Sequence, residues 1–203
     1  VVGDEAGTAI TTGDDNTFHG YQAGAATTTS SDNTAIGGAA LATNILASSN
    51  TAIGKNALYS HNVGSAASTY NTAVGHHAGL SVTTGLRNTI IGGLAGDALT
   101  DADNNVALGY NALGADTLGS ANVAVGQGTL QAQNFTSATT SYNTAMGHQA
   151  GNQVTTGVQN TLIGASSGDA LTTGSQNVAL GYQALTSDDL GSDSVAIGKG
   201  ALQ

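Results

Sequence analysis

Asn71-Thr72-Ala73-Val74-Gly75 decides how this chain is read, because the same five-residue pattern returns along its whole length. It stands as NTFHG from Asn16, NTAIG from Asn33 and Asn50, NTIIG from Asn88, NVALG from Asn105 and NVAVG from Asn122. It continues as NTAMG from Asn143, NTLIG from Asn160, NVALG from Asn177 and SVAIG from Ser194, and Val1-Val2-Gly3 ends one more copy. Successive starts lie 17 residues apart, except Asn50 to Asn71 and Asn122 to Asn143, which are 21 apart. A fixed short period marks a solenoid, in which each unit buries its apolar residues only against its neighbours.

With each unit numbered from its Asn as position 1, Gly holds position 5 in all twelve units, from Gly3 to Gly198. A strand that turns sharply at every coil needs a residue free to take positive φ, or one whose missing Cβ lets a neighbouring chain approach. Asn at position 1 suits a turn, and stacked Asn side chains can bond up and down the axis as a ladder. Between these frame residues the alternation has the period of a β-strand. Positions 2 and 4 carry Thr or Val and then a branched or long apolar residue, which reads as the inward face. Position 3, on the opposite face, is apolar too: Ala in most units, but Phe18, Ile90 and Leu162 once per larger block. A strand apolar on both faces is covered on both. The expectation is that position 3 packs on a second surface, another copy of the chain.

Position 9 has its own rhythm of two Gly and two Leu, as in Gly79, Gly96, Leu113 and Leu130. Where it is Gly, an apolar residue often stands at position 12 (Ile10, Val82, Leu99, Val154, Leu171). Where it is Leu, the apolar residue moves to position 14 (Leu46, Val63, Leu118, Phe135, Leu190). This reads as volume compensation in a packed interior. The long units add SAASTY to Tyr70 and SATTSY to Tyr142, predicted to bulge out every fourth coil. Three short units and one long make a 72-residue block, and residues 71–131 match 143–203 at roughly three positions in five. The chain is one repeat domain, 1–203, of super-repeats 1–70, 71–142 and 143–203, opening and closing in mid-repeat as a fragment of a longer fibre would. The expected fold is all-β: a parallel β-solenoid, or β-roll, of about twelve 17-residue coils, roughly 58 Å long at one strand spacing per coil.

Composition excludes several classes. Charged residues are 8% and aromatics 4%, with 30 Gly and no Pro, Cys or Trp. Such a chain would be disordered were its Val, Ile and Leu not phased into the repeat. Thirteen acidic residues face only Lys55, Arg87 and Lys199, a net charge of -10, so nucleic acid is not an expected partner. No run is long and apolar enough to insert in a membrane as a helix, and no disulfide or thiolate metal site is available.

SVAIGKGA from Ser194 and NTAIGKNAL from Asn50 resemble the repeats of trimeric autotransporter adhesin heads, whose β-rolls repeat an SVAIGxxS-type motif. NTAVGHHAG with the following TTG and NTIIG, from Asn71, is still more similar to repeats of phage tail fibres and related bacterial surface fibres. The 17-residue period is longer than that of autotransporter heads and favours the tail-fibre likeness. The resemblance spans essentially the whole chain. It implies a homotrimer of parallel chains, an extracellular location on a virion tail or bacterial surface, and attachment to a host-surface glycan or receptor.

No catalytic, cofactor or metal site is assigned. His76 and His148 are equivalent but four coils apart, about 19 Å, too far to share an ion within one chain. Three copies of His76 could converge in a trimer, but with no phased acidic or Cys partner a surface or interface histidine is the better reading. Asp97, Asp101 and Asp103, and Asp188-Asp189 with Asp193, lack the calcium nonapeptide, and Thr173 and Ser175 replace two of them in the next block; they read as solvated turn carboxylates. Neither a GxSxG-type nucleophile motif nor a singled-out acid pair points to an enzyme. Tyr110 and Tyr182 at position 6, and Tyr70 and Tyr142 ending the insertions, could stack on sugars or seal gaps between chains. The expected function is a fibre shaft or head segment. The alternative is a monomeric ligand-binding solenoid such as an ice-binding protein, against which Val106, Val123, Val178 and Val195 break the Thr rank at position 2.

Overall fold

A computed structural model of the chain describes residues 1–187 and 189–203. Among them no helix forms. Eleven three-residue strands, from Thr17–His19 to Val195–Ile197, make one parallel sheet in which each strand pairs with the equivalent strand of the next coil. Register keeps equivalent repeat positions opposite one another: Thr17 opposes Thr34, Phe18 opposes Ala35, and His19 opposes Ile36. A bridge from Val2 to His19 adds the incomplete first coil. The architecture is therefore a parallel β-solenoid with the 17-residue period.

Gly at position 5 meets the conformational reason, and the close approach it permits is that of the next coil of the same chain. These residues have φ between 118° and 141°. A Cβ on Gly20 would stand 2.7 Å from the carbonyl carbon of Gly37 in the next coil. Beyond Gly the chain alternates between right- and left-handed conformations, and its N–H groups point along the axis. Ala39 donates to the Tyr21 carbonyl of the preceding coil at 2.7 Å, and Leu41 donates to the Ala57 carbonyl of the following coil at 3.0 Å. This geometry holds Leu41, Leu58, Leu113 and Leu130 at φ of 52°, 48°, 51° and 49°. A left-handed L-residue costs about 1–2 kcal/mol. Full burial of each Leu and the intercoil hydrogen bond offset that cost.

The Asn ladder forms along the rod. Each Asn Oδ1 accepts the backbone N–H of its counterpart one coil on, as in Asn33 to Asn16 at 3.0 Å, Asn88 to Asn71 at 2.9 Å, and finally Ser194 to Asn177 at 2.9 Å. In the short coils Nδ2 donates to a carbonyl 14 residues later, closing the coil: Asn88 to Ala102 at 2.7 Å and Asn105 to Gly119 at 2.9 Å.

The strand faces are the reverse of the sequence expectation. Position 3 points inward: Phe18, Ala35, Ala52, Ala73, Ile90, Ala107 and Leu162 are buried, while positions 2 and 4 face out. Interior width is the reason. The coil holds Ala at position 3 wherever Leu fills position 9, and holds one larger side chain only where position 9 is Gly. A Cβ on Gly24 would meet the Phe18 ring at 2.5 Å, one on Gly79 would meet Ile90 Cδ1 at 3.0 Å, and one on Gly151 would meet Leu162 Cδ1 at 2.6 Å. Volume compensation is thus real, but it runs chiefly between positions 3 and 9. The apolar residues at position 12 are interior as expected, Val82, Leu99, Val154 and Leu171 all being buried. At position 14 the expectation fails: only Phe135 is buried, Leu46, Val63 and Leu118 are half-buried, and Leu190 is exposed.

The two insertions leave the rod as expected, exposed at 64–68 and 136–138. They rejoin it through short parallel pairs, Ala67–Ser68 on Ala47–Ser48 and Thr139–Thr140 on Gly119–Ser120. Phe18→Ala should cost about 3–5 kcal/mol in urea unfolding by opening a cavity. Adding Gly24→Leu, which recreates the Ala35 and Leu41 arrangement of the following coil, should recover half or more of that loss. Gly24→Leu alone should destabilise, and a double variant no better than Phe18→Ala would refute the exchange of volume between the two positions.

Candidate functional site

The outward strand positions form a continuous uncharged surface along the rod. Position 2 is Thr in seven strands and Val in four, and position 4 is Ile, Val, Leu or Met in every strand except the first, which has His19. No Lys, Arg, Asp or Glu interrupts these two ranks. Ile53 is 36% exposed, Leu108 41% and Met146 45%, inside a sheet about 50 Å long. Apolar patches beyond a few hundred Å² are uncommon on monomers and mark places where something docks.

The histidines lie elsewhere. His76 and His77 stack with ring centroids 3.8 Å apart, and His77 Nε2 lies 3.1 Å from Asn56 Nδ2. Partial burial, then the neighbouring His76 and Lys55 charges, lower the His77 pKa, and Asp97 opposes the shift. His148 has Gln149 beside it and no such pair. Among the described residues no three His, Asp or Glu side chains gather where they could hold a metal.

The acidic residues serve the rungs. Asp103 Oδ1 accepts the Leu86 N–H at 2.7 Å, and its Oδ2 lies 3.9 Å from Arg87 Nη2. Asp101 accepts the Thr84 hydroxyl. Burial raises the Asp97 pKa. Asp188 lies outside the described residues. The Asp189 carbonyl accepts from Thr172, and the Asp193 N–H donates to Ser175 O. Tyr70, Tyr110, Tyr142 and Tyr182 are all exposed, with Lys199 Nζ 5.9 Å from the Tyr182 ring centre.

One buried polar cluster escaped the sequence reading. In the coils of Leu41, Leu58, Leu113 and Leu130, position 12 is not vacated; it holds Asn44, His61, Asp116 and Gln133, all fully buried. Reading down position 12, where Val82 and Leu99 precede Asp116 and Gln133, carries the signal. Asp116 Oδ2 accepts from Gln133 Nε2 at 2.6 Å and its Oδ1 from the Gly119 N–H at 3.0 Å; Gln133 Oε1 accepts from Asn143 Nδ2 at 2.8 Å. His61 Nε2 lies 2.9 Å from Thr69 Oγ1, which donates to Asn50 Oδ1 at 2.7 Å. Ser141 Oγ likewise donates to Asn122 Oδ1 at 2.8 Å. Thr69 and Ser141 join the long coils to the ladder at Asn50 and Asn122, whose Nδ2 groups donate to the Oδ1 of Asn33 and Asn105 and not to a carbonyl 14 residues on. They form a structural network, closed to solvent. Burial raises the Asp116 pKa and lowers that of His61 to about 4.

The His61 shift sets a pH dependence. A folded value below the unfolded 6.5 means that the unfolded chain takes up the proton first as pH falls. His61 therefore favours the fold fully above pH 6.5, and that contribution declines down to about pH 4, by about 3 kcal/mol. His61→Gln, the residue standing at the equivalent Gln133, should flatten the wild-type curve in this window when both are unfolded in urea across pH. Parallel curves would place the titration elsewhere. No protein-family model, curated protein or solved structure matches the chain.

Proposed function

We propose that this chain is a shaft or head segment of an extracellular fibre, built as a homotrimer of parallel chains, which carries an attachment surface on a phage tail or a bacterial cell. The observation that supports the reading most is the uncharged face at positions 2 and 4. Its 22 outward residues compare with about 20–30 per side in a standard protein interface. Identical chains placed side by side in register present identical ranks to one another, so a second and third copy match this face along its full length. Repetition supplies length, the low charge allows close approach, and the role requires no catalytic step.

One observation favours a second reading, a monomeric ice-binding solenoid. Thr17, Thr34, Thr51, Thr72 and Thr89 form an unbroken outward rank, one strand spacing apart. Beyond it Val106 and Val123 interrupt the hydroxyls.

Sedimentation across a dilution series separates the two. The fibre reading expects three times the 19.7 kDa chain mass at every concentration. Ile53→Lys with Leu108→Lys places cations on the apolar face, and should yield a folded monomer with unchanged circular dichroism. A wild-type monomer at all concentrations would rule out the trimer, and thermal hysteresis in that monomer would establish the ice-binding alternative.

A further inference from the structure

On a different part of the coil, at positions 7, 10 and 11, three successive coils form an open groove of about 450 Å³ lined by Asn111, Gly114, Ala115, Gln131, Ala132, Asn152 and Gln153. Its polar groups are four carboxamides. Among the described residues, none makes a side-chain hydrogen bond with these four amides. Together they offer N–H donors and carbonyl acceptors with no charge in the lining.

The repeat supplies an internal control. One block earlier the same places hold Ala39, Ala42, Tyr59 and Leu80 where the groove has Asn111, Gly114, Gln131 and Asn152. The fold therefore does not require amides there, since equivalent coils form with apolar residues. Two of the changes are coupled: a Cβ on Gly114 would run into Asn111 Oδ1, so the loss of the Ala42 methyl makes room for the Asn111 amide. Replacing a large aromatic and a Leu by shorter polar side chains leaves a shallow concavity.

We infer that this groove binds a neutral oligosaccharide. Sugar hydroxyls both donate and accept, which carboxamides match group for group, and the volume falls within the range of small-ligand sites. An anionic glycan is disfavoured by the chain's net charge of -10 and by the absence of any Lys or Arg in the lining. The inference does not rest on the trimeric reading, because none of these residues belongs to the strands and the assay does not read native mass.

The test titrates the full chain with maltohexaose, cellohexaose and chitohexaose, and with an oligogalacturonate as the anionic probe, by calorimetry and saturation-transfer NMR. At least one neutral hexasaccharide should bind with a Kd below about 1 mM. Gln131→Tyr with Asn152→Leu, which restores the residues of the earlier block, should weaken that binding at least tenfold while the circular dichroism and Tm stay unchanged. Should that pair disturb the fold, Gln153→Ala on the exposed rim should weaken the same binding several-fold. The inference is overturned if no neutral probe binds, if the variants bind as the wild type does, or if the galacturonate binds more tightly.

Discussion

Hydrogen bonding along the axis is the constraint on which the rest of this structure depends. Within a coil the backbone pairs with itself only in tight turns, such as Ala40 N–H to Gly37 O and Asn44 N–H to Leu41 O, so most other N–H and C=O groups reach the coil above or below. Gly at position 5 lets adjacent backbones come close enough. Left-handed residues at positions 7, 9 and 17 turn successive N–H groups up and down, including at the buried Leu side chains, where that conformation is costly. The Asn ladder adds a side-chain column parallel to the backbone columns. Once this lattice of bonds exists, side chains have little freedom in where they point.

A thin interior follows. The space between opposite walls takes Ala with Leu, or a single Phe, Ile or Leu with Gly, and nothing larger. The Val, Ile, Leu and Met of position 4 therefore stand outside. A coil that cannot bury its own larger apolar residues depends on stacking for part of its stability, and its outer face is suited to covering by a partner.

The long coils show how the lattice tolerates an interruption. Four extra residues displace the carbonyl that the Asn amide normally uses. The Asn50 and Asn122 Nδ2 groups donate instead to Oδ1 of the preceding ladder residue, Asn33 and Asn105, while Thr69 beside His61 and Ser141 in the equivalent place donate to Oδ1 of Asn50 and Asn122. A buried carboxyl is expensive if left unbonded, and both Asp116 oxygens accept hydrogen bonds, whereas the His61 imidazole is bonded at Nε2 and leaves Nδ1 without a partner. The two solutions differ chemically yet occupy the same positions one block apart, which shows that the lattice requires hydrogen bonds there and not one residue type.

Period, strand placement, the glycine turn and the Asn ladder were legible in the sequence, because each rests on a residue type whose local chemistry has few alternatives. The assignment of faces was not. Alternation separates position 3 from positions 2 and 4, but with apolar residues on both sides it carries no sign for which is inside. The polar residues of position 12 were not legible either: Asn44, His61, Asp116 and Gln133 resemble surface residues until the stacked coils bury them beside polar partners in the same and adjacent coils. The amide groove emerged only when three coils were stacked, since Asn111, Gln131 and Asn152 are 20 or more residues apart in the chain. Local chemistry determined the coil. Interior volume, a property of stacked coils that no single unit contains, decided what the coil shows to the outside.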